Sequence, residues 1–210
     1  NTKIVPSLVK SISFTNIAPA LQSQIGEVYV ATCDEEIASE VRKNGGKFIM
    51  TDMNHTTGTD RVFEASKKLN LRDIDFIMNI QGDEPMINPL DIKNLNKLSK
   101  EKNLNISTLA YNIKKKEDYD NENIVKVITK NKISDNSATE ALNFYRVIKE
   151  NNSSNIYHHF GIYLYKYSAL KKFVNFEKTE NETNEKLEQL RAIDNNMKIN
   201  VIMANYFSSG

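Results

Sequence analysis

The sequence predicts an α/β fold with a mostly parallel central sheet and helices on both of its faces. Three observations carry that expectation. Short apolar runs alternate with segments of helical spacing through the first half of the chain. The run Phe76 to Ile80 is largely apolar, as a strand buried in a parallel sheet must be, and it breaks at once into Gln81, Gly82, Asp83, Glu84 and Pro85. The helical segments open on an acidic start at Asp34 or on a proline at Pro89, where helices tolerate them.

The elements follow in order. "KIVPS" reads as a first strand that stops at Pro6, and "EVYVATCD" (27–34) as a second. "DEEIASEVRKN" is a helix that sets Ile37, Ala38 and Val41 on one face. "GGKFIMT" (45–51) is a turn and a strand; "TDRVFEASKKLN" (59–70) is a helix with Val62, Ala65, Ser66 and Leu69 at helical spacing. "IDFIMNIQGDEP" is the next strand, and Pro89 begins the next helix. In the second half, 105–113 and 123–129 read as strands, 158–174 as a strand running into a helix, 184–196 as one helix, and "KINVIMANY" as a late strand. The polar stretches 131–140 and 149–156 read as loops. With no repeat and no linker, residues 1–210 form one domain.

Composition excludes several classes of function. The chain has 28 basic and 27 acidic residues, a net charge of +1, so it lacks the electrostatic footprint of a nucleic-acid or anionic-membrane binder. The lysines at 114–116 run straight into Glu117 and Asp118 and read as a solvated turn. A lone Cys33 forms no internal disulfide, and no apolar run reaches the ~20 residues of a membrane span, so a cytoplasmic protein is expected. Arginine is rare (Arg42, Arg61, Arg72, Arg146, Arg191) beside abundant lysine, which makes each one a candidate for a specific role.

Four stretches offer chemistry, each with a plainer alternative. In open α/β sheets ligands are met beyond the C-terminal ends of the strands, where Gln81, Asp83 and Glu84 fall. Two adjacent carboxylates there suit a hard divalent cation shared with substrate phosphates; the alternative is a salt-bridged or capping acid. "HTTGTDR" (55–61) lies between a strand and a helix. Gly58 permits close backbone approach, Thr59 suits a cap and Arg61 stands near a helix N-terminus, or the stretch is an ordinary capped turn. "HHFGIY" (158–163) sends its two histidines to opposite faces of a strand, a poor metal pair, although one of them can face a cleft. In "EKLEQLRA", Glu188 and Gln189 can line a sugar wall, or Glu188 and Arg191 form a surface i,i+3 pair. No Ser-His-Asp order, GxSxG, Walker A or GxGxxG stretch is present.

Taken together, "ATCDEEI", "HTTGTDR", "NIQGDEPMI", "NIVKV", "HHFGIYLY" and "LEQLR" resemble the 3-deoxy-manno-octulosonate (Kdo) cytidylyltransferases through nearly the whole chain. The resemblance implies a Rossmann-like nucleotidyltransferase fold with a smaller dimerisation and sugar-binding lobe. It implies the reaction of CTP with Kdo to give CMP-Kdo and pyrophosphate, with Mg²⁺, in a cytoplasmic homodimer serving lipopolysaccharide assembly. Residue by residue, Asp83 is similar to the catalytic metal-binding aspartate. Arg61, Gln81, His159, Tyr163, Glu188 and Gln189 are similar to the Kdo-binding set, and Thr57 and Gly58 to part of the nucleotide side. A related sugar acid of the sialic or amino-Kdo type, or a non-catalytic sugar-acid binder, stands as the alternative.

Two departures from the family pattern bear on this. The family follows its first strand with a basic phosphate-gripping loop, whereas "IVPS" here runs directly into "LVKSISF". It also carries a second metal-binding aspartate in a segment that would begin near Gly210. About 15–25 further residues with at least two arginines and a lysine are expected between Pro6 and Leu8, longer than an ordinary βα connection.

Overall fold

The computed structural model describes residues 2–7, 17–69, 74–81, 87–148 and 154–205. Strand β1 (Thr2–Ser7) lies between β5 (Phe76–Gln81) on one side and β2 (Gly26–Val28) with β3 (Val30–Thr32) on the other, all parallel. It runs one residue past Pro6 and stays in register to its end, Ser7 facing Gln81. The stretch 27–34 is therefore not one strand: Tyr29 interrupts the ladder, and only then does β3 pair with β4 (Phe48–Met50).

The helices form where the sequence caps them. Helix α1 (Ala18–Ser23) carries Pro19 in its first turn, and no periodic signal announces so short an element. Asp34 caps α2 (Glu35–Lys43), accepting from the backbone N–H groups of Glu36 at 2.8 Å and Ile37 at 3.3 Å; acids fill its first turn and bases its last. Thr57 caps α3 (Gly58–Lys68), and Asn88 caps α4 (Pro89–Glu101).

The remaining strands are β6 (Ile106–Asn112), β7 (Lys126–Thr129), β8 (Ala138–Tyr145), β9 (Ile156–Lys166) and β10 (Asn200–Met203). Among the described strands only β8 and β9 run against the rest, so the sheet is mostly parallel in direction. Strand β9 is the pivot. Its C-terminal half pairs with β5, its N-terminal half with β7, and its other flank pairs with β6 throughout. The order β9–β6–β10–β8–β7 thereby returns to β9, curling the second half of the sheet into a ring.

Alternation along the strands feeds two cores, one on each face. Ile77 of β5 and Tyr163 and Tyr165 of β9 join Val62 and Ala65 of α3, with Leu170 and Phe173 of α5 (Tyr167–Phe173). Phe76, Met78 and Ile80, with Ile162 and Leu164, face Ile92, Leu95 and Leu98 of α4. Each such side chain contributes about 1.5–3 kcal/mol on burial, so the α4 stripe alone anchors that helix firmly.

Two sequence expectations change. Residues 138–140 are not loop but the start of β8, whose Thr139, Ala141 and Phe144 are buried. The stretch 184–196 is not one helix. Helix α6 (Glu180–Glu185) ends at Lys186, which takes a left-handed φ of 54°, and α7 (Leu190–Asp194) begins afresh. The break turns Leu187 and Leu190 into the core (4% and 3% exposed) and leaves Glu188 and Gln189 between the helices.

Candidate functional site

Strand β5 stops at Gln81, but β9 continues past that end toward β7. The uncovered half of β9 becomes the floor of a cavity of about 260 Å³. Gln81, His159, Gly161 and Tyr163 line the floor, Asn123, Val125 and Arg146 one wall, and the bridge Lys186–Gln189 the roof. Five of the six residues similar to the Kdo set, Gln81, His159, Tyr163, Glu188 and Gln189, thus converge on one space.

Arg61 does not join them. It is 2% exposed, and its guanidinium donates to Thr51 Oγ1 at 2.5 Å and to the Asp52 carbonyl at 3.2 Å. Its position in the first turn of α3 turns it under the loop that follows β4. Thr57 and Gly58 line a neighbouring cavity of about 430 Å³ with Lys178 and Thr183. Glu188 and Lys186 border both spaces. The loop into α3 is tied down by Glu64, which accepts from the Asp52 N–H at 2.9 Å and pairs with His55 and with Lys68. Burial alone would raise this carboxyl, yet those partners hold it near about 2.

His159 is buried, packs edge-on to Phe144 at 5.0 Å and lies beside Tyr163 at 5.4 Å. Its Nε2 is 2.9 Å from Thr108 Oγ1, and that hydroxyl donates to the Ile162 carbonyl at 2.7 Å. A hydroxyl has one proton, so Nε2 is the donor in the pair and Nδ1 is left as the acceptor. Burial pushes this imidazole down to about 3, and His158 to about 4, so both rings are neutral at pH 7. His158 projects to the other face of the strand, its ring tilted against Tyr111 at 4.4 Å, though it too borders the cavity.

Glu188 accepts from Thr59 Oγ1 at 2.9 Å, while its Oε1 is buried with no hydrogen-bond partner among the described residues. Burial raises its pKa, against the opposing pull of Thr57, Thr59 and Arg191. The alternative i,i+3 pair of Glu188 with Arg191 exists only as a long, buried contact. Arg191 is 2% exposed and grips Glu182 through two bonds of 2.8 and 2.5 Å, with Glu188 Oε1 at 4.0 Å. That pairing leaves the Glu188 carboxylate for whatever enters the cavities.

Sequence reasoning marked Arg146 only as one of the rare arginines and gave it no place in the site. Its guanidinium donates to the carbonyls of Glu122, Glu185 and Lys186 at 3.1, 3.1 and 3.4 Å, which ties the wall to the roof. An arginine has five N–H donors, so among the described residues two stay uncommitted at the cavity's edge. The scarcity of arginine was the signal that pointed to it.

Asp83 and Glu84 lie outside the described residues, and the expected insertion between Pro6 and Leu8 is not there: Ser7 alone separates them. Among the described residues no group of three or more His, Cys, Asp or Glu side chains could hold a metal. A hard divalent cation held by one or two carboxylates and otherwise by substrate phosphates needs no such group. Gln81 sets the end of β5 at the cavity, and Asp83 follows two residues later. No helix among the described residues is long and apolar enough to cross a membrane.

Comparison with known proteins places these features. The sequence model of the Cytidylyltransferase family matches residues 12–199. The 3-deoxy-manno-octulosonate cytidylyltransferase of Thermodesulfovibrio yellowstonii is 40% identical over 219 residues, covering 96% of this chain and 86% of that protein. Since 96% of 210 residues is about 202, that relative carries about 17 residues with no counterpart here. The enzyme of the same name from Afipia carboxidovorans is 39% identical over 183 residues, covering 87% and 73%. Among solved structures, a CMP:2-keto-3-deoxy-manno-octonic acid synthetase complexed with CTP superposes with a TM-score of 0.84 at 29% identity, covering 100% of this chain and 92% of that one. A UTP-bound UGPase from Acinetobacter baumannii shares the fold alone, with a TM-score of 0.64 at 8% identity.

Proposed function

This chain belongs to the 3-deoxy-manno-octulosonate cytidylyltransferase family, and on that footing we propose that it transfers the cytidylyl group of CTP to Kdo, releasing pyrophosphate. One observation of the structure carries the reading. Gln81, His159, Tyr163, Glu188 and Gln189, scattered over more than half the sequence, meet around a single cavity at the end of β5.

The chemistry of that lining suits a polyhydroxy acid. Glu188 and His159 Nδ1 accept from sugar hydroxyls, Gln81 and Gln189 offer amides that donate or accept, and the uncommitted N–H groups of Arg146 face the carboxylate. Attack of the anomeric hydroxyl on the α-phosphorus, with pyrophosphate leaving, asks the protein mainly for positioning and charge neutralisation. The rigid floor on β9 supplies the positioning. Thr57 and Gly58 in the neighbouring cavity are assigned to the nucleotide, and Glu188 at the boundary keeps sugar and nucleotide in contact. The metal is assigned as Mg²⁺, with Asp83 as its protein ligand; when bound it neutralises charge on the phosphates. A cytoplasmic homodimer completes the reading.

The test is pyrophosphate release from CTP with Kdo, with N-acetylneuraminate and with no sugar, each with and without Mg²⁺. Release with Kdo and Mg²⁺ alone is expected. Turnover of N-acetylneuraminate with Kdo ignored would move the assignment to a different sugar acid. Kdo binding by calorimetry without any turnover would make this a sugar-acid binder.

A further inference from the structure

Lys126, the first residue of β7, is fully buried, its ammonium donating to the carbonyls of Asn121 at 2.6 Å and Arg146 at 2.5 Å. Asp118, Asp120 and Glu122 lie near enough to favour its charge. A buried ammonium costs several kcal/mol unless it is well paired, and an apolar side chain of similar volume would pack there at no such cost. Packing therefore does not explain a lysine at this position.

Its two acceptors do. Asn121 precedes the wall residues Asn123 and Val125, and Arg146 directly follows β8, whose Tyr145 pairs with Lys126 itself. One ammonium thus fastens together the two chain segments that form the cavity wall. Arg146, held by its carbonyl, then reaches with its guanidinium to Glu122, Glu185 and Lys186 and sets the roof against that wall. The links run in sequence from Lys126 to Arg146 to the bridge that carries Glu188 and Gln189.

We propose that Lys126 is a positioning residue for sugar-acid binding, acting through Arg146 and the 121–125 segment without touching substrate. The proposal rests on the Kdo cytidylyltransferase reading above. It requires that loss of the ammonium disturb the sugar side of the site and spare the nucleotide side. Thr57 and Gly58 sit at the start of α3, to which Lys126 and Arg146 make no bond; of the residues lining that second cavity, these bonds reach only Lys186.

The experiment compares the wild type with Lys126→Met, Arg146→Ala, the double variant and Val127→Ala in steady-state kinetics, with thermal melts of each. Val127 is the next residue on β7, is fully buried and lines neither cavity, so its truncation loosens the same strand without touching the ammonium. Lys126→Met should raise the KM for Kdo at least ~10-fold, in line with the cost of misplacing a binding group by about 1 Å, and change the KM for CTP less than about 2-fold. Adding Lys126→Met to Arg146→Ala should raise the Kdo KM by less than about 3-fold more, since the two act in series. Val127→Ala should lower the melting temperature and leave the ratio of the two KM values unchanged.

Equal KM changes for both substrates in Lys126→Met, multiplicative effects in the double variant, or a shifted ratio in Val127→Ala would each overturn the assignment while leaving the function intact. Should Lys126→Met fail to fold, the Val127→Ala ratio and a Kdo-selective effect of Arg146→Ala still decide it: a shifted ratio in the first, or no selectivity in the second, overturns it. A wild-type protein that ignores Kdo would overturn the functional reading, and the role of Lys126 would fall with it.

Discussion

Acid should destabilise this protein through His159, and the structure gives the size of the effect. The imidazole is buried against Phe144 and Tyr163, and burial lowers its pKa from the ordinary 6.5 to about 3. The folded state thus holds the ring neutral where the unfolded chain protonates it. The unfolded state binds more protons between those values, so stability is complete above pH 6.5 and falls as the pH drops toward the folded value. At pH 5 the unfolded ring is almost wholly charged and the folded ring almost wholly neutral. The loss between pH 7 and pH 5 from this one residue is about 2 kcal/mol. Against a total of about 5–15 kcal/mol that is a large share. Urea melts at both pH values read it directly, as a midpoint shift of about 1 M for a slope near 2 kcal/mol/M. Other groups titrate over the same range, so the comparison is with His159→Gln, which cannot charge there. The variant should be less stable at pH 7 but lose about 2 kcal/mol less than the wild type on going to pH 5. If wild type and variant lose the same amount, His159 is not held neutral, and its assignment as an acceptor at Nδ1 is wrong.

Three further outcomes are expected. Asp83→Asn should lower kcat by at least ~10²-fold, as loss of a preorganised charge-stabilising group does, with an unchanged melting temperature; a collapsed melt would make Asp83 structural. Gln189→Ala should raise the KM for Kdo more than that for CTP, because it roofs the sugar cavity and is absent from the lining of the other; equal changes would point to packing. Arg191→Met should cost about 3–5 kcal/mol in chemical denaturation, since it strands the buried Glu182 carboxylate it now binds twice. A loss below about 1 kcal/mol would show that Glu182 finds water instead.

The sequence was readable wherever period and composition agreed. Strand β5, the α2 and α3 stripes and the proline start of α4 all emerged because an apolar repeat coincided with a capping residue. Strand β8 did not, because Glu140 and Asn143 interrupt its apolar residues and an Asn- and Ser-bearing stretch leads into it. The break at Lys186 was hidden for a different reason. Residues 184–196 have helix-forming composition, and only tertiary contacts repay a left-handed lysine there by driving Leu187 into the core. In the site, motifs brought out Gln81, His159, Tyr163, Glu188 and Gln189. Partnerships across the chain were out of reach: nothing local says that Arg191 belongs to Glu182, nine residues earlier, or that Arg61 serves Thr51 and Asp52. Arg146 lay outside every motif, and Lys126 sat inside "NIVKV" with no role attached to it, because what both hold are backbone carbonyls, and these leave no trace in side-chain patterns.

Strand β9 is hydrogen-bonded along both flanks, to β6 on one and to β5 and then β7 on the other. Its amide protons should therefore exchange with solvent only when the whole domain opens, at a free energy equal to global stability. The roof rests on short helices and a bridge of four residues, so its amides should exchange through local fluctuations at much lower free energy. A ligand entering the cavity can then gain affinity by quenching motion only from above. Discrimination among sugar acids of different shape would accordingly register as altered exchange at 186–189, with the floor acting as an unyielding template.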